Sequence, residues 1–120
     1  MYGLRKNLDL SFLNGRQVEQ VAIGAYQIIF AFDEDVRISV YFQFSYFDGQ
    51  AESIWQPEPG FAQIAARTVA LLGATIQTFE GQEDGTLTLM FSNGHRLTIP
   101  DSSKEYESYD ITLPGRTIVV

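Results

Sequence analysis

Two glutamates at matching places of an internal repeat, Glu52 and Glu107, and a single histidine, His95, are the residues whose types and spacing could do chemistry. In an alternating strand Glu107 falls in phase with Tyr109 and Ile111, and Glu52 with Ile54, so both carboxyls are expected to face apolar surroundings. A carboxyl held there has a raised pKa and can serve as a general acid or base. The same placement also serves structure. Each Glu would tie down its strand by accepting backbone or tyrosine hydrogen bonds, twice because the fold is duplicated, and the residues favour this reading.

His95 stands where the other copy has Val36, an inward-phase position beside a hairpin, and reads as a packed or rim histidine rather than a general base. No Ser or Asp near it in sequence completes a triad. With one histidine and no cysteine, His-His and cysteine metal motifs and a thiolate nucleophile are excluded. Asp101, Glu105, Glu107 and Asp110 offer oxygen ligands, but the spacing and glycine of a calcium loop are missing. No metal and no cofactor is expected.

Arg37 and Arg96 occupy equivalent places and alternate outward, beside Ser39 and Thr98. They could hold an anion, although the residues favour plain surface charge, and pairing with the glutamates would need a departure from simple alternation. The run Tyr41-Phe42-Gln43-Phe44-Ser45-Tyr46-Phe47 puts aromatic groups on both strand faces, followed by Trp55. Phe42 and Phe44 are expected inside. Tyr41, Tyr46 and Trp55 are expected on a contact surface, where Tyr and Trp are favoured.

The elements that must position these residues follow from the repeat. Residues 9–54 and 67–109 align, with Asp33–Val40 over Ser92–Ile99 and Leu13-Asn14-Gly15 over Leu71-Leu72-Gly73. Val18 and Val21 are three apart, as are Ile76 and Phe79, and an odd step inside a period of two predicts a β-bulge in each copy. The next strands, Tyr26–Phe32 and Leu87–Phe91, alternate cleanly. Each turns back, through Asp33-Glu34-Asp35 or through Ser92-Asn93-Gly94, whose Asn-Gly pair suits positive φ in a tight hairpin.

Strands are then predicted over Val36–Phe44 and His95–Ile99, with late strands over Tyr106–Thr112 and Arg116–Val120 about a Pro114-Gly115 turn. Phe61, Ile64, Ala65, Thr68, Val69 and Leu72 fall at helical spacing, so one amphipathic helix is expected between the copies. The predicted fold is α+β, mostly β: a single domain, internally duplicated as two sheets or a partly open barrel, with that helix closing one end.

Bulk properties narrow the function classes. A chain of 120 residues buries roughly 65% of the surface it exposes when unfolded, enough for a real core. Formal charge is −7, with four basic and eight acidic residues in positions 1–60 and four and seven in 61–120. A nucleic-acid backbone would be repelled by both halves. No signal-peptide core and no run of about 20 apolar residues is present, so a cytoplasmic protein away from membranes is expected.

The hairpin Gly85-Thr86-Leu87-Thr88-Leu89-Met90-Phe91-Ser92-Asn93-Gly94, preceded by Leu72-Gly73 and followed by Tyr106-Glu107-Ser108-Tyr109, resembles a family of small uncharacterised bacterial domains. That family carries a G-x-L-x-L-x-F-x-[DN]-G hairpin before a Y-E-[AS]-[WY] motif. The resemblance implies no activity that could be carried over to Glu107. By type alone, small acidic bacterial domains of this kind include immunity proteins that neutralise a partner toxin.

The expectation is therefore a non-enzymatic protein-interaction domain, immunity-like, able to form a homodimer. The alternative is a small-molecule binding protein or weak hydrolase using Glu52 and Glu107 between the halves.

Overall fold

The computed structural model describes residues 3–4, 8–101 and 107–120. Among these described residues, ten strands build two five-stranded antiparallel sheets. The first half contributes β1 (Val18–Ile23), β2 (Ile28–Phe32), β3 (Arg37–Val40), β4 (Phe44–Phe47) and β5 (Glu52–Trp55). The second contributes β6 (Ile76–Gly81), β7 (Leu87–Phe91), β8 (Arg96–Ile99), β9 (Tyr109–Leu113) and β10 (Arg116–Val119). Their orders are β1-β2-β3-β9-β10 and β5-β4-β8-β7-β6. Each half thus builds a three-stranded meander and lends its last hairpin to the other half's sheet.

Both meanders carry a bulge at the odd-spaced positions. Register shifts lie between Val18 and Gln20 in β1 and between Ile76 and Thr78 in β6. Just before each bulge the chain crosses to the other half through a glycine of positive φ. Gly15 (φ 76°) donates to the Ile76 carbonyl at 3.0 Å, and Gly73 (φ 84°) donates to the Val18 carbonyl at 2.9 Å. These paired bonds form the seam about which the two halves correspond.

The chain changes sheets where one continuous strand over Val36–Phe44 was expected. Extended structure stops at Val40 and resumes at Phe44, with Tyr41–Gln43 bridging the sheets. Phe42 lies in that bridge and is half-buried rather than inside, whereas Phe44 is fully buried. Uninterrupted alternation concealed the break, because both strands put the same phase into one shared core. That core is joined by rings: Phe30 of β2 meets Phe44 of β4 edge-on at 5.8 Å, and Phe44 stacks on Trp55 at 5.3 Å.

Helical structure between the halves is shorter and tighter than the predicted single helix. A 3₁₀ turn at Pro59–Phe61 leads into α1 (Ala62–Arg67), which passes into another 3₁₀ turn at Thr68–Leu71. Thr68 is buried and its hydroxyl donates to the Ala65 carbonyl at 2.6 Å, local side-chain competition that accompanies the tightening there. The two hairpin tips also differ from expectation. In Ser92-Asn93-Gly94 only Gly94 has positive φ, whereas Glu34 and Asp35 both sit at 59°.

Candidate functional site

The second sheet ends in a polar corner. His95 follows the β7–β8 tip and, in phase with Leu97, points toward the space between the sheets. Tyr46 lies opposite Leu97 in the register and is only 1% exposed. Its hydroxyl and His95 Nδ1 are hydrogen-bond partners, and the rings meet edge-on with centroids 5.5 Å apart. Ser53 lies opposite Tyr46 on β5, and Arg67 from α1 donates to its Oγ at 2.8 Å. Asn93 accepts the His95 N–H at 3.0 Å and donates to the Ala70 carbonyl at 3.2 Å, which ties the hairpin tip to the helical segment.

Asp48 completes the corner at the β4–β5 turn. It accepts the N–H groups of Ala51 at 2.9 Å and Gln50 at 3.0 Å. Those two bonds hold its carboxyl below the usual range, and the charges of His95 and Arg67 add to the effect. Burial, followed by the Asp48 charge, pushes the Tyr46 hydroxyl up to about 12. Phenol, imidazole, hydroxyl, guanidinium and carboxylate therefore converge from β4, β5, β8 and α1. Ser53 Oγ accepts from Arg67, and the imidazole of His95 is bonded to Tyr46.

At the corresponding corner of the first sheet the register supplies different residues. Val36 occupies the place of His95, since each closes its hairpin by accepting from a phenylalanine N–H, Phe32 or Phe91. Ile111 pairs with Ile38 as Tyr46 pairs with Leu97, and Ile118 pairs with Ile111 as Ser53 pairs with Tyr46. Leu113 then matches Asp48. Val36 and Ile111 are buried, and Leu113 and Ile118 pack against the core.

The other predicted site residues are dispersed. Glu52 faces outward with its side chain 52% exposed, not toward apolar surroundings. It shares an outer row with Phe47 and Arg96; the Arg96 guanidinium lies 5.0 Å over the Phe47 ring and 4.0 Å from Glu52. Simple alternation thus makes the Arg96–Glu52 pair, because both residues point outward. Glu107 is half-buried just before β9 in the first sheet, where its charge reaches Tyr41. The register puts Thr117, not Glu107, in the place equivalent to Glu52, so the two glutamates form no shared site.

Tyr46 and Trp55, each 1% exposed, are core residues and not the contact surface expected of them. Their phase carries them inward with Phe44. Tyr41 is half-buried and donates to the Asp110 carboxylate at 2.7 Å. Burial, followed by Asp110, pushes its hydroxyl up to about 12. Arg37 is exposed on the outer face of the first sheet.

Of the oxygen ligands, Asp101 instead accepts from the Gly3 N–H and the Ser108 hydroxyl, each at 2.7 Å, and Glu105, with Tyr106 of the late motif, lies outside the described residues. Among the described residues no group of three His, Asp or Glu side chains is arranged to hold a metal ion, and no helix is long and apolar enough to cross a membrane.

Asp48, Ser53 and Arg67 escaped the sequence reading because three separate elements supply them. The one signal was the exchange of Val36 for His95 between the copies. No curated protein and no solved structure matches the chain. Residues 10–120 match the family described as a family of unknown function (DUF6188), and the chain belongs to that family.

Proposed function

We propose that this chain is a non-enzymatic protein-interaction domain that engages its partner at the polar corner of the second sheet. The observation that carries the reading is the contrast with the first sheet, where Val36, Ile111, Leu113 and Ile118 close the same geometry without polar groups. A corner needed only for folding is served by the apolar set, since polar groups taken from water must be repaid by partners. His95, Asp48, Ser53 and Arg67 instead place donors and acceptors at a rim that a second molecule can reach. The net charge of −7 favours a basic partner, as for an immunity-like domain that neutralises a cationic toxin.

A hydrolase built on Glu52 and Glu107 loses its footing, because those residues belong to different sheets. The test is capture from native lysate by tagged protein, followed by native mass spectrometry, with Arg67→Ala and Asp48→Asn as variants. One stoichiometric partner, lost in both variants while melting temperature is retained, supports the proposal. A self-associated chain whose assembly is weakened by the same variants assigns the corner to a homodimer. Partner retention undiminished in both variants removes the corner from the interface.

A further inference from the structure

A separate depression of about 660 Å³ opens on the outer face of the first sheet, lined by Glu19, Gln20, Ala31, Phe32, Asp35 and Arg37. Three features of the chain make it. The β1 bulge leaves Glu19 out of the register, so Glu19 and Gln20 both reach solvent. The cross-strand row Gln20, Ala31, Arg37 forms the floor and one wall. Asp35 lines it from the hairpin tip, in a left-handed conformation at φ 59°.

The corresponding place on the second sheet shows what is particular here. There the bulge residue is Gln77, the tip residue is Gly94 and the arginine is Arg96, so neither acid is present. Arg96 rests on Phe47 and pairs with Glu52; for Arg37 the register supplies Thr112 and Thr117 instead. Among the described residues, the side chains of Glu19, Asp35 and Arg37 make no hydrogen bond or ion pair. Two carboxylates and a guanidinium thus face one open depression without internal partners.

We infer that this depression is a second binding site, for a protein segment in which an arginine stands next to an acidic residue. The incoming guanidinium lies between the Glu19 and Asp35 carboxylates with its stem along Ala31. Its acidic neighbour takes the Arg37 fork, which suits a carboxylate in bidentate geometry. A uniformly basic segment meets repulsion from Arg37, and a uniformly acidic one meets it from both carboxylates. The site therefore selects adjacent opposite charges, a preference distinct from the attraction of the whole acidic molecule for cations.

The experiment is an NMR titration of the full chain with the dipeptide acetyl-Arg-Asp-amide, alongside acetyl-Arg-Arg-amide and free arginine. Shifts at Gln20, Ala31 and Arg37 are expected with Arg-Asp, at lower concentration than with Arg-Arg. Glu19→Gln, Asp35→Asn and Arg37→Gln should each weaken binding about threefold to tenfold. Asn tolerates the Asp35 backbone conformation, so the tip is retained. Glu80→Gln, which removes an acid elsewhere on the surface, should change little, as should the corner variant Arg67→Ala. Shifts scattered over the surface, equal weakening by Glu80→Gln, or tighter binding of Arg-Arg would overturn the assignment. Free arginine binding as well as the dipeptide would overturn the protein source and leave a small amino-acid site.

Discussion

The two corners share one backbone plan and close it with opposite chemistry. In the first, Val36, Ile111, Leu113 and Ile118 meet as side chains without hydrogen-bonding groups. In the second, His95, Tyr46, Asp48 and Ser53 stand in those places, with Arg67 added from α1. Even the tips are inverted. The tip beside the apolar corner holds Glu34 and Asp35 at positive φ, while the tip beside the polar corner uses glycine at its left-handed position. Each hairpin therefore departs from the easiest choice at a different place, one in its backbone and the other in the polar side chains gathered beside it.

The largest expected effect lies in the core behind the two corners. Trp55→Ala should destabilise by about 3–5 kcal/mol, because it removes an aromatic stacked on Phe44 and leaves a cavity. Val120, which occupies the equivalent place through its backbone pairing with Tyr109, should cost less when cut to Ala, about 1–3 kcal/mol. Chemical denaturation of the two variants checks the order, and equal losses would mean that the two sheets load this core position alike.

Next, Tyr46→Phe should cost about 1–2 kcal/mol by leaving His95 Nδ1 without its partner. The double variant with His95→Val should recover part of that loss, since the first corner shows valine packing in that position. A strictly additive double variant would show that the two side chains are energetically independent.

Acquired in the opposite direction, Asp35→Gly should stabilise the chain by roughly 0.5–1 kcal/mol, relieving the left-handed conformation that Gly94 already occupies without strain. It should also abolish the preference for the Arg-Asp probe. A denaturant midpoint that falls would show that the Asp35 side chain supports the tip.

Alkaline titration sharpens the comparison further, because the first corner has Ile111 where Tyr46 stands. The Tyr46 hydroxyl is raised to about 12 in the fold, above the unfolded value near 10. The folded chain then binds more protons than the unfolded chain between these values. Stability from this group is complete below pH 10 and declines as pH rises toward 12. Tyr46→Phe should flatten that decline, and an unchanged slope would assign the alkaline loss to Tyr41 and Tyr109, whose hydroxyls burial also raises. The smallest effect belongs to Arg96→Ala, at about 0.5–1 kcal/mol, since its ion pair and ring contact are both on the surface.

What the sequence made legible was local. The odd spacing of Val18 and Val21, and of Ile76 and Phe79, marks the two bulges because a bulge is a one-residue defect in a period of two. The hairpins at Asp33–Asp35 and Ser92–Gly94 were equally readable. The exchange of terminal hairpins was not, because Val36, Ile38, Val40 and Phe44 keep one phase across the sheet change and alternation carries no mark of which sheet a strand joins. Glu52 reads as inward from its phase with the apolar Ile54, which is itself exposed, and Trp55 reads as a contact residue by type although it is buried beside Phe44. Arg67 and Ser53 meet only because α1 folds back over β5, a contact no spacing rule encodes.

The exchanged hairpins also set a timetable for synthesis. As the chain leaves the ribosome, β1, β2 and β3 emerge with one side of β3 unpaired, and β4 and β5 emerge with no sheet to join. The second sheet can close only when β8 is out, and the first must wait for β9 and β10. Until then β3 presents an open strand edge, the surface most prone to pairing with the wrong chain. Completion of the first sheet is thus tied to the arrival of β9 and β10, and a chain stalled before them is exposed for as long as that hairpin is missing.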